Sequence, residues 1–198
     1  MRRIGWLVAY IVIASAMHAH AQSPAKVPII KVSPVKSTIQ FAVKASVPIE
    51  GTFEKWDATL TFTSDHVEDG VLDIKIQAAS VNTGSWMKND KLKGKDFFDA
   101  GQDPYITFHS SKVVQTGPFA FDLPGTFTIR GVSKPETLAF TGTREGNGRA
   151  NIKGTMAFDR KEFGMDSGIP FIRIADRVEV TVDLDVDRVS GPPLIFKQ

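Results

Sequence analysis

Apolar side chains recur on every second residue through most of this chain, in short runs separated by Gly, Pro, Asn and Asp. A period of two puts alternate side chains on opposite faces of an extended backbone, so each run predicts a strand with one apolar face and one wet face. Ile39, Phe41 and Val43 alternate with Thr38, Gln40 and Lys44, and Leu60 and Phe62 with Thr59, Thr61 and Thr63. Leu72, Ile74 and Ile76 oppose Asp73, Lys75 and Gln77; Ile106 and Phe108 oppose Thr107 and His109. Phe127 and Ile129, then Leu138 and Phe140, repeat the pattern among threonines. The last two runs are the cleanest. Ile152, Met156 and Phe158 alternate with Asn151, Lys153 and Thr155, and Val178, Val180, Val182, Leu184 and Val186 with Glu179, Thr181, Asp183, Asp185 and Asp187.

Most connections are too short for the crossover helix that a parallel pair requires, which predicts antiparallel neighbours. Glu145-Gly146-Asn147-Gly148 is the best hairpin turn, because Asn-Gly supplies the positive φ values. About eight such strands fit either a sandwich or a barrel. We expect an all-β, antiparallel, eight-stranded barrel, since closing a sheet removes its exposed edges and leaves room for side chains or one slender ligand.

Residues 85–108 break the alternation. Ser85 is placed to cap a short helix carrying Trp86, Met87 and Leu92 that stops at Gly94, and Asp96 to cap a further turn carrying Phe97 and Phe98. So much apolar surface in so short a segment must be buried somewhere, either as a plug in one end of the barrel or as a mobile cover over a ligand.

The first 21 residues stand apart from the fold: Arg2 and Arg3, an apolar run from Ile4 to Met17, and Ala19-His20-Ala21 describe a signal peptide with an A-x-A cleavage site. We therefore expect cleavage before Gln22, export, most simply to a periplasm, and one domain over residues 22–198. Without that peptide the 24 basic residues fall to 22, equal to the 22 acidic ones. A neutral chain has no overall field for nucleic acid or an anionic membrane. The chain has no cysteine, so no disulfide framework supports it and stability must come from an apolar core.

Four stretches resemble one family. Ser80-Val81-Asn82-Thr83-Gly84, Asn89-Asp90-Lys91-Leu92, Asp96-Phe97-Phe98-Asp99-Ala100 and Pro104-Tyr105-Ile106-Thr107-Phe108-His109-Ser110 are similar to the central signature of the YceI-like family of secreted, lipocalin-like proteins. The likeness continues through residues 125–135, 158–164 and 175–180, in order along about residues 32–187. The resemblance implies a lipocalin-like β-barrel with a helical insertion that covers one end. It also implies a long isoprenoid or similar amphiphile as the ligand.

Hydrocarbon binding makes its own physical sense, because each buried methylene contributes about 0.8 kcal/mol and few polar contacts are needed. Candidate lining residues are Phe41, Phe53, Phe62, Ile74, Trp86, Leu92, Phe97, Phe98, Phe108, Phe127, Phe140 and Phe158. Each has an ordinary core position as its alternative. Lys88, Asn89 and Asp90 are candidate head-group contacts. No cofactor or metal is expected, and a membrane protein that receives the cargo is a candidate partner.

Catalysis has a thin inventory. A hydrolase or metal site would have to use His66, within Ser64-Asp65-His66-Val67-Glu68-Asp69-Gly70, or His109. There is no phosphate loop, dinucleotide fingerprint or nucleophile elbow. A third reading is a structural or docking protein with a filled barrel. Gly191-Pro192-Pro193 ends the last strand, and Leu194-Ile195-Phe196 is then free to meet a partner or the barrel's own surface.

Overall fold

Each alternating run forms a strand, and the runs join into one antiparallel sheet. The computed structural model of the protein describes residues 27–168 and 171–197, and the expected signal peptide, residues 1–21, lies outside them. The strands are β1 (Ile29–Val32), β2 (Thr38–Ala45), β3 (Ile49–Phe53), β4 (Trp56–Phe62), β5 (Gly70–Gln77) and β6 (Val81–Asn82). They continue with β7 (Tyr105–Ser110), β8 (Val114–Gly117), β9 (Ala120–Ile129), β10 (Val132–Gly146), β11 (Arg149–Asp159) and β12 (Ile174–Ser190). The eight strands of six or more residues are the eight runs read from the alternation. The other four, β1, β3, β6 and β8, are too short to carry a legible period.

The sheet runs β4-β5-β7-β9-β10-β11-β12-β2-β3-β6, with β1 added to β12 and β8 to β9. It curls until its two ends approach each other. The wall is not sewn shut by a ladder, however: among the described residues neither β3 nor β6 pairs with β4. The chain diverges at Glu54-Lys55, where Glu54 N donates to Ser80 O at 3.1 Å and Gln77 N to Lys55 O at 2.9 Å. These bonds satisfy backbone groups that a β3-β4 hairpin would otherwise pair. Further along the seam, β1 lies against β4.

Inward phenylalanines take their space from glycines. Phe41 stands opposite Gly51 and Phe140 opposite Gly154 in their ladders. A Cβ at Gly51 would sit 2.7 Å from the Phe41 ring, and one at Gly154 would collide with Phe140. A glycine under an aromatic ring lets a curled sheet hold large side chains without strain.

The interruption forms α1 (Trp86–Lys93) followed by tight turns to residue 103. Ser85 holds the cap position without a side-chain hydrogen bond. Asn89 fixes the approach instead, its Oδ1 accepting from Thr83 N at 2.8 Å and Thr83 Oγ1 at 2.7 Å. Leu92, Phe97 and Phe98 are buried, and Phe98 packs on Phe41 and Phe53 with ring centroids 6.1 and 5.8 Å apart. They plug this end of the barrel. Trp86 and Met87 point the other way, 78% and 63% exposed.

Arg160 ties the segment between β11 and β12 to the same end. It is buried, and its guanidinium donates to the carbonyls of Ala175, Met165 and Ser167 and to Asp176 Oδ1. Asp176 Oδ2 also accepts from Lys161 Nζ at 2.9 Å. The Asp159-to-Gly164 and Ala175-to-Arg177 stretches noted in the sequence therefore meet in space and serve the fold. The Lys161 hydrogen bond, helped by the Lys161 and Arg160 charges and opposed by desolvation, holds the Asp176 carboxyl below its ordinary range. A carboxylate with a lowered folded pKa contributes stability above the unfolded pKa, and that contribution is lost as pH falls through the folded value. The urea midpoint should accordingly decline below about pH 4, and Asp176→Asn should lower the midpoint at neutral pH while flattening that acid limb.

Candidate functional site

The inward residues of the long strands divide by position. Toward the β10–β11 hairpin they leave a cavity of about 390 Å³; toward α1 they leave only about 60 Å³. The larger cavity is lined on β5 by Leu72, on β9 by Leu123, on β10 by Phe140, on β11 by Ile152 and on β12 by Leu184. The smaller is lined on β5 by Ile76, on β9 by Phe127 and Ile129, on β11 by Phe158 and on β12 by Val178 and Val180. Between them stands a layer of Ile74, Phe108, Leu138, Met156 and Val182, all buried, which lines neither. On β5 the order Leu72, Ile74, Ile76 runs from one cavity through this waist to the other, and on β12 the order Leu184, Val182, Val180 does the same. The interior is thus hollow at one end and packed through the middle.

The predicted lining residues distribute over these regions. Phe62 and Phe140 line the large cavity; Phe41, Phe53, Leu92, Phe97, Phe98, Phe127 and Phe158 line the small one. Ile74 and Phe108 form part of the waist, Phe108 reaching to where a Cβ on Gly125 would touch its ring at 2.8 Å. Trp86 lines neither cavity. The three candidate head-group residues sit on α1, away from both cavities: Lys88 Nζ donates to Pro48 O at 3.4 Å, Asn89 holds Thr83, and Asp90 is exposed.

A strap after β12 completes the wall of the large cavity. Pro193, Leu194 and Phe196 line it, and Phe196 meets the rings of Phe121 and Phe119 at 6.0 and 6.4 Å. Ile195 forms a parallel bridge to His66, with Ile195 N donating to Asp65 O at 2.8 Å and Val67 N to Ile195 O at 3.1 Å. The Gln115 side-chain amide spans both backbone groups of Lys197, and Lys197 Nζ lies 2.7 Å from Glu68 Oε1. The Leu194-Ile195-Phe196 segment thus packs on the barrel itself. The His66 loop is its dock.

His66 is exposed, and its loop is held by Ser64, whose hydroxyl donates to Asp69 Oδ2 at 2.6 Å and accepts from His66 N at 3.0 Å. His109 lies on the outer face with Nδ1 2.7 Å from Asp73 Oδ1. Among the described residues no three His, Cys, Asp or Glu side chains gather as a metal site.

Sequence reasoning left the Leu194-Ile195-Phe196 segment open between a partner and the barrel's own surface, and it missed the cavity's polar rim of Arg144, Arg149 and Arg188. A signal for the rim exists. Arg144 keeps the phase of Leu138 and Phe140, and Arg188 that of Leu184 and Val186, so a charged residue stands on the apolar phase at two strand ends.

A curled antiparallel sheet around an apolar cavity open toward one end, and plugged at the other by a helical insertion, defines a barrel of the lipocalin-like class. The chain belongs to the family of the YceI-like domain, whose model matches residues 31–186. It is 30% identical over 143 residues to a UPF0312 protein of Pseudomonas savastanoi pv. phaseolicola, covering 70% of this chain and 71% of that one. The crystal structure of Burkholderia cenocepacia BcnA superposes with a TM-score of 0.71 at 29% identity, over 78% of this chain and 99% of that one. A polyisoprenoid binding domain from Saccharophagus degradans shares the fold at 15% identity, with a TM-score of 0.66 over 81% of this chain and 99% of that domain.

The strap generates a direct test. Phe196→Ala should lower stability by about 2 kcal/mol and raise the fluorescence of an added hydrophobic dye, with the far-ultraviolet dichroism of the sheet unchanged.

Proposed function

We propose that this protein is an exported, periplasmic carrier that holds the hydrocarbon chain of an amphiphilic lipid in the large cavity and does not change it chemically. One observation carries this reading: a barrel packed through its waist keeps a hollow of about 390 Å³ walled mainly by Leu, Ile, Val and Phe, with its arginines and glycines gathered toward the β10–β11 hairpin. The hollow opens to solvent toward the hairpin, and its apolar wall is surface that a hydrocarbon chain would remove from water. Its size suits a ligand site of ordinary dimensions.

The volume also bounds the tail. A water claims about 30 Å³ in the liquid and a methylene is of similar size, so the hollow takes on the order of a dozen chain carbons. At about 0.8 kcal/mol each, they offer roughly 10 kcal/mol before the costs of association. A longer isoprenoid, as the family resemblance implies, would have to part the waist at Phe108 and Met156 or trail out past the β10–β11 hairpin. The enzymatic reading draws no support from the exposed His66 and His109, which face away from the hollow.

Two measurements test the proposal. Organic extraction of protein purified from its native host, followed by mass spectrometry, should return a reproducible amphiphile, and its consistent absence would count against carriage. In a titration series, affinity should rise with each added methylene and level off near a dozen carbons. A series that never levels off would show that the waist opens.

A further inference from the structure

Arg144, Arg149 and Arg188 border the otherwise apolar cavity, and no acidic side chain lines it. Strand phase brings two of them there. Arg144 is opposite Ala150 in the β10–β11 ladder, on the side of the sheet that carries Phe140 and Ile152 inward. Arg188 is two residues beyond Val186, on the inward side of β12. Arg149 stands opposite Asp187 on the outward phase and completes the rim.

A charge on the apolar phase of a strand costs solvation, which is tolerable at a strand end where the head can reach water. What makes this pair unusual is that neither is neutralised. Among the described residues none of the three guanidiniums forms an ion pair. They are held in place by other means. The Arg144 guanidinium carbon lies 4.9 Å from the Phe196 ring centroid and 5.5 Å from that of Phe119, and Arg188 Nη1 donates to Gly191 O at 2.6 Å. Aromatic faces and one carbonyl fix the orientation of two planar forks and leave most of their five donors each unengaged. A fixed guanidinium fork matches the oxygens of a carboxylate or phosphate; Arg188 is half-buried, and Arg144 and Arg149 are exposed at the mouth.

We propose that the cavity takes a single-chain amphiphile with an anionic oxyacid head, carboxylate or phosphate, with its tail in the barrel and its head on Arg144 and Arg188. This rests on the carrier reading above and adds the charge class of the ligand. The tail supplies affinity and the arginines choose the head.

Calorimetric titration of the whole protein with decanoate, decyl phosphate and decanol separates the two parts. Decanoate and decyl phosphate should bind about tenfold or more tightly than decanol, the ratio expected for one charge-assisted contact. The Arg144→Gln/Arg188→Gln double variant should bring both anions down to the affinity that the same variant shows for decanol, closing the ratio between them. Should that variant not fold, added salt applied to the native protein gives the same reading, weakening the anions and sparing the alcohol. Equal binding of all three ligands, or an anion preference indifferent both to salt and to the arginines, overturns the head-group assignment and leaves the carrier reading standing. Failure of all three to bind overturns both. Inorganic phosphate is the control for the source of the anion: if it binds as tightly as decyl phosphate, the rim serves a free ion and the proposal fails.

Discussion

The barrel depends on the register of β12. This strand pairs with β11 along most of its length on one side and with β2 and then β1 on the other. Its inward residues Val178, Val182, Leu184 and Val186 are buried, while Asp183, Asp185 and Asp187 alternate with them on the outer face. A slip of one residue would turn three carboxylates into an apolar interior, each at a cost of several kcal/mol. The outer face rewards the correct register as well. Asn151 Nδ2 donates to Asp183 Oδ1 at 2.7 Å, Lys153 lies 3.5 Å from Asp183, and the Asp185 N–H donates to Ser37 Oγ at 2.9 Å. With β12 pinned, the neighbouring strands inherit their facing, and the hollow and the plug follow.

The two ends then reach different solutions to the same geometric problem. Near α1 the aromatic groups Phe41, Phe53 and Phe98, and Phe127, Phe158 and Phe163, fill the space with rings 5.0 to 6.1 Å apart, and Arg160 staples the overlying segment through carbonyls. Near the β10–β11 hairpin the inward positions include Gly142, Ala150 and Gly148, which are too small to meet across the barrel, and the strap contributes Leu194 and Phe196 as a wall. Small residues at one rim and large ones at the other set where the interior is empty.

Strand content and insertion were legible because both rest on local signals. Alternation marks every strand long enough to show a period, and Ser85 and Gly94 bracket α1 within the aromatic break. The seam between β3 and β4 was not legible, since two adjacent short runs imply a hairpin, and only the competing bonds of Ser80 and Gln77 prevent it. Trp86 illustrates a second limit. Six residues, about 1.7 turns of helix, separate it from Leu92 and put the two on different faces, and which of them meets the barrel is decided by how the helix docks, to which the local pattern is indifferent. The cavity itself is a property of opposing walls, so the choice of Phe41 or Phe108 as lining rested on side-chain type, while the distinction between hollow, waist and plug belongs to three dimensions. The arginine rim was readable in principle from phase alone, at Arg144 and Arg188, but charge at a strand end is ordinarily taken as solvent-facing.

The waist of Ile74, Phe108, Leu138, Met156 and Val182 insulates one end of the molecule from the other. Residues of the plug and of the hollow meet the same waist from opposite sides, within one continuous core. The chamber by the hairpin can be recarved, in size or in charge, at a remove from the signature residues gathered around α1 and Arg160. A scaffold divided in this way can keep its means of folding constant while the shape of its hollow changes.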